Sequence, residues 1–231
     1  MKLIHTWGWL PVILWLTACS STPAEGQSNA GNSTPVTTKV SNVPTDRPSE
    51  TIHKAYFASG CFWCVEAVFE SVKGVTEAVS GYAGGDESNP TYRQVSAGAT
   101  GHAEAVEVYY DSSQVDFPTL LKVFFGSQDP TTLNRQGPDA GTQYRSVAFY
   151  DNAAEKQMIE AYIQTLENGS QYAPGEIVTQ VLPIKKFWPA EDYHQDYERK
   201  NPNVPYVRSV SVPRLKRFQA KYPELLKTDP H

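Results

Sequence analysis

Two cysteines three positions apart stand in the run Gly60-Cys61-Phe62-Trp63-Cys64-Val65-Glu66, and they are the residues best suited to covalent chemistry. Val65, Val68, Phe69 and Val72 recur at helical spacing behind Gly60, so the sequence predicts a helix over 61–72. A thiol at a helix start faces unpaired backbone N–H groups and the positive end of the helix dipole, which both favour thiolate. Cys61 is therefore expected to be the better nucleophile. Cys64 lies one turn further on, at a separation compatible with a disulfide. Spacing alone leaves Cys-x-x-Cys open between redox chemistry, metal binding and an inert pair in an apolar helix. A structural zinc site is disfavoured, because no second Cys pair or close His pair completes a four-ligand set.

The elements that must hold these thiols alternate along the chain. Strand-like runs cover 54–59, 75–82, 102–110, 143–150 and 177–184. Helices are expected from Asp116-Phe117-Pro118, over 152–167 with a stop at Asn168-Gly169, over 189–200 and over 213–222. Such alternation implies a single α/β or α+β domain over 51–231 with helices packed on a sheet. On the strand over 102–110, His102, Glu104 and Val106 share one face, and Ala103, Ala105 and Glu107 share the other. By alternation alone, Glu104 reads as a solvent-facing acid.

Composition narrows the function classes. The 231 residues are 40% hydrophobic and 19% charged, as expected of a mostly globular protein. A net charge of -5 supplies no global positive field for phosphate backbones, so a nucleic-acid partner is not expected. Lys2 precedes a short apolar run over 7–16, and Leu16-Thr17-Ala18-Cys19 follows. The run is shorter than the roughly 20 residues a spanning helix needs, so 1–18 reads as a secretory signal. Leu16-Thr17-Ala18-Cys19 resembles a bacterial lipobox, which makes Cys19 the expected lipid attachment point and membrane anchor. Ser20 after it favours the periplasmic face of the outer membrane in a Gram-negative cell. Residues 19–50 lack aromatics and are rich in Ser, Thr, Pro, Asn and Gly, so they read as a flexible tether.

Six motifs occur in one order: Gly60-Cys61-Phe62-Trp63, Gly81-Tyr82-Ala83-Gly84-Gly85, Asn89-Pro90-Thr91-Tyr92, Thr100-Gly101-His102-Ala103-Glu104-Ala105-Val106, Asp139-Ala140-Gly141-Thr142-Gln143-Tyr144-Arg145-Ser146 and Ala190-Glu191-Asp192-Tyr193-His194-Gln195. In that order they resemble the peptide methionine sulfoxide reductase A family over about 52–208. The resemblance implies a ferredoxin-like two-layer sandwich and reduction of the S epimer of methionine sulfoxide, free or in proteins. It implies Cys61 as nucleophile passing through a sulfenic acid, Glu104 as proton donor, Tyr92 and Tyr144 as hydroxyl donors to the sulfoxide oxygen, and Asp139 as a helper. Phe62 and Trp63 would form an apolar slot for the substrate methyl. A carboxylic acid that donates near neutrality must be buried, so Glu104 is expected in an enclosed apolar setting. His102 and His194 are read as structural hydrogen-bonding groups.

One departure bears on turnover. Many relatives have Gly where this chain has Cys64 and carry a resolving Cys in a Gly-rich tail, whereas 204–231 contains none. A subset of the family shares the second Cys. Cys64 then becomes the expected resolving thiol, with a Cys61–Cys64 disulfide recycled by an external thioredoxin or dithiol reductant. No bound cofactor or metal is expected, and a monomer is. The ending over 213–231 can pack on the domain or bind another protein. Two other functions remain open from sequence: a thiol–disulfide oxidoreductase, though the Trp-Cys-x-x-Cys order is absent, and a lipid-anchored binding module with a structural Cys pair.

Overall fold

The computed structural model describes residues 51–229. The signal segment over 1–18, the Cys19 attachment point and the tether over 19–50 lie outside the described residues. In chain order the elements are β1 (Ile52–Ala58), α1 (Phe62–Glu70), β2 (Val75–Ala83), α2 (Tyr92–Ser96), β3 (Ala103–Asp111), α3 (Phe117–Gly126), β4 (Arg135–Gln136), β5 (Asp139–Ala140), β6 (Val147–Tyr150), α4 (Ala153–Asn168), β7 (Gln180–Pro183), β8 (Phe187–Pro189), α5 (Tyr197–Lys200) and α6 (Val212–Lys221). The main sheet runs β7-β6-β1-β3-β2-β8. Only β6 and β7 pair in parallel; the other neighbours are antiparallel. Within it, β1-α1-β2-β3-α3-β6 with spatial order β6-β1-β3-β2 is the ferredoxin-like arrangement.

Strand periodicity decides what lies beneath α1. Val106 and Val108 of β3 join Phe57, Val68, Phe69, Leu120 and Phe124 in the main core, while Ala103 and Ala105 point to a smaller cluster with Ala58, Val147 and Phe149. Glu104 shares the Val106 face, so it lies on the side covered by α1. Phe57 is fully buried and stacks at 5.0 Å on both Phe69 and Phe124, which ties β1 to α1 and α3. At the β1–α1 junction, Gly60 has φ 81, and a Cβ there would stand 2.6 Å from Cβ of Gln136. Both the backbone angle and the close approach require glycine at that bend.

Three expectations change, and a fourth is refined. The helix expected over 189–200 does not form. Pro189 ends edge strand β8, Ala190 N donates to Ser80 O at 2.9 Å, and the Gln195 amide pairs with the Ser80 backbone at 2.8 and 3.0 Å. That pairing satisfies the edge of β2 and uses up the segment's freedom to coil, leaving a 3-10 turn at Asp192–His194 and the four-residue α5. The strand expected over 143–150 is confined to β6, because Thr142–Tyr144 turns as a 3-10 segment and Tyr144 O receives the Gly60 N–H. The strand over 177–184 begins only at Gln180, since Val178 N bonds Pro130 O instead. The helix over 213–222 is α6, entered through a wider π turn at Val207–Ser211. It packs on the domain through buried Leu215 and Phe218.

Replacing Phe57 with Ala removes both stacks from the middle of this core. The expected loss is about 3–5 kcal/mol in urea unfolding, with an unchanged denaturant slope. A loss below about 1 kcal/mol would show that Phe57 does not anchor the layers.

Candidate active site

Cys61 occupies the N-cap position of α1, and its side chain makes no capping bond. An unpaired N–H in a buried helix start is costly, and here the acceptor comes from another element. Phe62 N donates to Oε2 of Glu104 at 3.1 Å. Glu104 is 1% exposed, so the expectation of an enclosed carboxyl holds and the solvent-facing reading of β3 does not. Burial pushes its pKa up to about 8 against the pull of the Phe62 N–H, with the Asp139 and Cys64 charges adding to the rise. A neutral carboxylic acid therefore lies directly under the thiol-bearing turn at neutral pH.

Aromatic rings enclose this turn. Phe62 is fully buried and sits 5.9 Å from Tyr82, 6.2 Å from Tyr92 and 5.1 Å from His194. Half-buried Trp63 stacks at 3.7 Å on Tyr197, and its Nε1–H donates to Nδ1 of His194 at 3.1 Å. Tyr92 opens α2, where its backbone N–H donates to Glu191 Oε1 at 3.0 Å while the Tyr82 hydroxyl donates to Glu191 Oε2 at 2.8 Å. Glu191 thus clamps α2 to the end of β2. Burial raises the Tyr92 pKa to about 12 and raises that of Tyr144 as well, keeping both hydroxyls protonated and able to donate. The charges of Glu104 and Cys61 add to the rise at both tyrosines, so both rings lie near enough to feel them. His102 is structural: Nδ1 accepts from Gly85 N at 3.2 Å, and Nε2 lies 2.8 Å from Glu87 O.

Asp139 and Cys64 meet on the other side of the turn, through the C-terminal segment. The Tyr206 hydroxyl donates to Asp139 Oδ2 at 2.6 Å and lies 4.0 Å from Cys64 Sγ. Burial raises the Asp139 pKa, with Tyr206 and Arg214 opposing. Cys64 Sγ is 2.9 Å from Ser211 Oγ. A hydrogen bond from Cys61 draws the Cys64 pKa down to about 6 despite burial, helped by the Arg214 charge and by Ser211 and Tyr206. Burial and the neighbouring Cys64 charge push Cys61 up. The two thiols titrate as a pair, in which burial opposes a charge on Cys61 while Arg214, Ser211 and Tyr206 favour one on Cys64. The sequence argument favoured the thiolate at Cys61 from the helix start alone; the Arg214 charge and the Ser211 hydroxyl favour an anion at Cys64, and the Tyr206 hydroxyl favours one at either sulfur.

Sequence reasoning gathered Cys61, Cys64, Phe62, Trp63, Tyr92, Glu104, Asp139 and Tyr144, and the fold brings all of them to the start of α1. It missed Tyr206, Ser211 and Arg214. A signal existed: Ser211 and Arg214 fall on the buried stripe Val207, Ser211, Arg214, Leu215, Phe218, where polar residues stand out among apolar neighbours. On another side of α1 a cavity of about 660 Å³ is lined by Trp63, Glu66, Glu70, Tyr197, Glu198 and Lys216, among others. Glu66, Glu70 and Asp196 bring carboxylate oxygens within 4.8 Å of one another there. Glu66 is already engaged, accepting from Ser80 Oγ at 2.5 Å and Asp196 N at 2.6 Å.

A family profile described as peptide methionine sulfoxide reductase matches residues 33–226. A relative from Acinetobacter baumannii, "Peptide methionine sulfoxide reductase MsrA", is 49% identical over 176 residues, covering 76% of this chain and 99% of its own. "Peptide methionine sulfoxide reductase MsrA 1" of Rhodopirellula baltica is 47% identical over 193 residues, 84% of this chain and 97% of its own. Among solved structures, methionine sulfoxide reductase A of Corynebacterium diphtheriae superposes with TM-score 0.60 at 36% identity, over 67% of this chain and 77% of that one. Reduced Mxr1 from Saccharomyces cerevisiae gives TM-score 0.61 at 34% identity, over 66% and 87%.

Glu104 has a raised folded pKa, so the stability it gains by staying protonated is fully present below its unfolded value and is lost as pH rises through about 8. Glu104→Gln keeps an acceptor for the Phe62 N–H and cannot ionise. Its stability should match wild type at acid pH and exceed it by on the order of 2–4 kcal/mol at alkaline pH, read from urea unfolding across pH. Parallel stability curves would mean that Glu104 is not held neutral.

Proposed function

Because the chain belongs to the peptide methionine sulfoxide reductase family, we propose that Cys61 reduces methionine sulfoxide by attack on sulfur while Glu104 protonates the oxygen. The observation that carries this reading is the neutral, buried Glu104 beneath the Cys61 turn. In the first step the Cys61 sulfur bonds to the sulfoxide sulfur, the Glu104 proton moves to the oxygen, and the Cys61 proton passes to the hydrogen-bonded Cys64. Transfer of the hydroxyl to Cys61 then releases methionine and leaves a sulfenic acid, so the substrate sulfur gains the two electrons that Cys61 loses. Tyr92 and Tyr144 donate hydrogen bonds to the developing oxygen charge. Asp139, held by Tyr206, positions the turn. Phe62 and Trp63 receive the methyl group. Fixing methyl, oxygen and attacking thiol at three separate points selects one hand at sulfur, the S epimer. Simple binding would have no use for a buried neutral acid at this spot.

Recycling falls to Cys64, which attacks the sulfenic sulfur and closes a Cys61–Cys64 disulfide one helical turn long. An external thioredoxin-like dithiol then reduces it, and the chain acts as a monomer without a bound cofactor. The lipobox-like Leu16-Thr17-Ala18-Cys19 supports a lipid-anchored enzyme that repairs oxidised proteins of the bacterial envelope from the periplasmic face of the outer membrane.

With separate epimers of a methionine-sulfoxide peptide, the enzyme should form methionine from S alone. Cys61→Ser should abolish the reaction, and Glu104→Gln should slow the first step about a hundredfold or more. Equal first-step rates would remove Glu104 from the chemistry. Cys64→Ser should yield a slower burst of one methionine per enzyme and no thioredoxin-driven cycling, so undiminished cycling would overturn its resolving role. In cells, Cys19→Ala should move the protein from the membrane to the soluble fraction; continued membrane retention would refute the anchor.

A further inference from the structure

Resting on the reading of Cys64 as resolving thiol, one proton remains without a destination. Cys64 takes the Cys61 proton in the first step, yet it must be a thiolate to attack the sulfenic sulfur. The groups around it supply an exit. Ser211, fully buried in the π turn ahead of α6, places Oγ 2.9 Å from Cys64 Sγ. Glu198 of α5 is 9% exposed, and its Oε2 is buried with no hydrogen-bond partner. An unpartnered buried carboxyl oxygen is rare and calls for a reason. The Glu198 carboxyl is within hydrogen-bonding reach of Ser211 and close enough to feel the charges of Cys64 and Arg214, and Glu198 also lines the 660 Å³ cavity beside α1.

We propose that Glu198, acting through the Ser211 hydroxyl, receives the Cys64 proton in the resolving step. Ser211 gives its hydroxyl proton to the Glu198 carboxylate as it takes the proton of the Cys64 thiol. The Cys64 electron pair forms the S–S bond to Cys61, the S–O bond of the sulfenic acid breaks, and the departing hydroxide leaves as water after taking a proton from solvent. The oxidising equivalent is the oxygen already removed from the sulfoxide, so no other oxidant is needed. Two features suit Glu198 to the task. Burial pushes its pKa up to about 7, where a carboxylate can both take and return a proton near neutrality. The Arg214 guanidinium, whose hydrogen bonds go to neutral oxygens of Ser59 and Ser127, offsets the negative charge that Cys64 and Glu198 carry in turn. Cys61 and Tyr206 also face Cys64, Asp139 is bonded to Tyr206, and Glu104 lies close enough to feel the Cys64 charge.

The test follows disulfide closure in one turnover. The reduced enzyme is mixed with an S-sulfoxide peptide, quenched by acid and alkylation at successive times, and weighed by mass spectrometry across pH. In the wild type, closure should accelerate as pH rises through about 7. Glu198→Gln should close roughly a hundredfold more slowly at neutral pH and lose that inflection. Glu198→Asp should restore part of the rate, and Ser211→Ala should slow closure with Glu198 intact. The sign is diagnostic. If Glu198 were only a neighbouring charge, its neutralisation would ease ionisation of Cys64 and speed closure; a faster or unchanged rate in Glu198→Gln overturns the relay. If the wild type forms no Cys61–Cys64 disulfide at any pH, the resolving role of Cys64 itself fails.

Discussion

The bond from the Phe62 N–H to the Glu104 carboxyl holds sheet and helix in the relation on which the site depends. A helix that starts in the interior must satisfy its first N–H groups, and a cysteine at the cap position provides no oxygen for them. β3 reaches under the turn and supplies one. The same contact sets the acid beneath the thiol, so a structural need and a chemical one are met by a single carboxyl. Removing it from water then makes it a proton donor, because the apolar surroundings oppose its charge more strongly than one N–H favours it.

A second constraint comes from the end of the chain. α6 and the π turn before it lie against α1 and bury Ser211 and Arg214 beside Cys64. π turns displace side chains from helical register and recur at functional sites, which fits a segment that must aim one hydroxyl at a sulfur. The polar groups of the site therefore divide into two sets about α1. Glu104, Tyr92 and Tyr144 are protonated and face the nucleophile, while Ser211, Arg214 and Glu198 surround the second sulfur and favour or exchange its charge. Sulfoxide reduction consumes protons at one sulfur and thiol resolution releases one at the other, so the two sets match the two half-reactions.

The motif Ala190-Glu191-Asp192-Tyr193-His194-Gln195 shows why this division is stable. Its side chains act as connectors: Glu191 joins Tyr82 to α2, His194 holds the Trp63 indole, and Gln195 pairs with the backbone of Ser80. The first two reach elements carrying a site residue, and the third fixes the segment to the edge of β2. The segment forgoes regular helix because its hydrogen-bonding capacity is committed to those neighbours.

The sequence by itself determined an α/β or α+β class and the strand–glycine–helix junction, and its ordered motifs, through the family resemblance, implied the ferredoxin-like arrangement and the eight residues that gather there. Those properties are local or repeat along the chain: Gly60 precedes an apolar 3.6-residue period, alternation marks β3, and the motifs stand in fixed order. Tertiary structure decided the rest, because burial and charge are properties of a place and not of a residue. Alternation could not tell whether the Glu104 face meets water or α1. The helix-start argument could not see that Arg214, 150 residues later, would bring its charge to Cys64. Nor could periodicity predict that 189–200 would forgo helix to complete a sheet edge. Only chain folding sets the distances over which desolvation and charge act, and these fix which acid keeps its proton and which thiol gives one up.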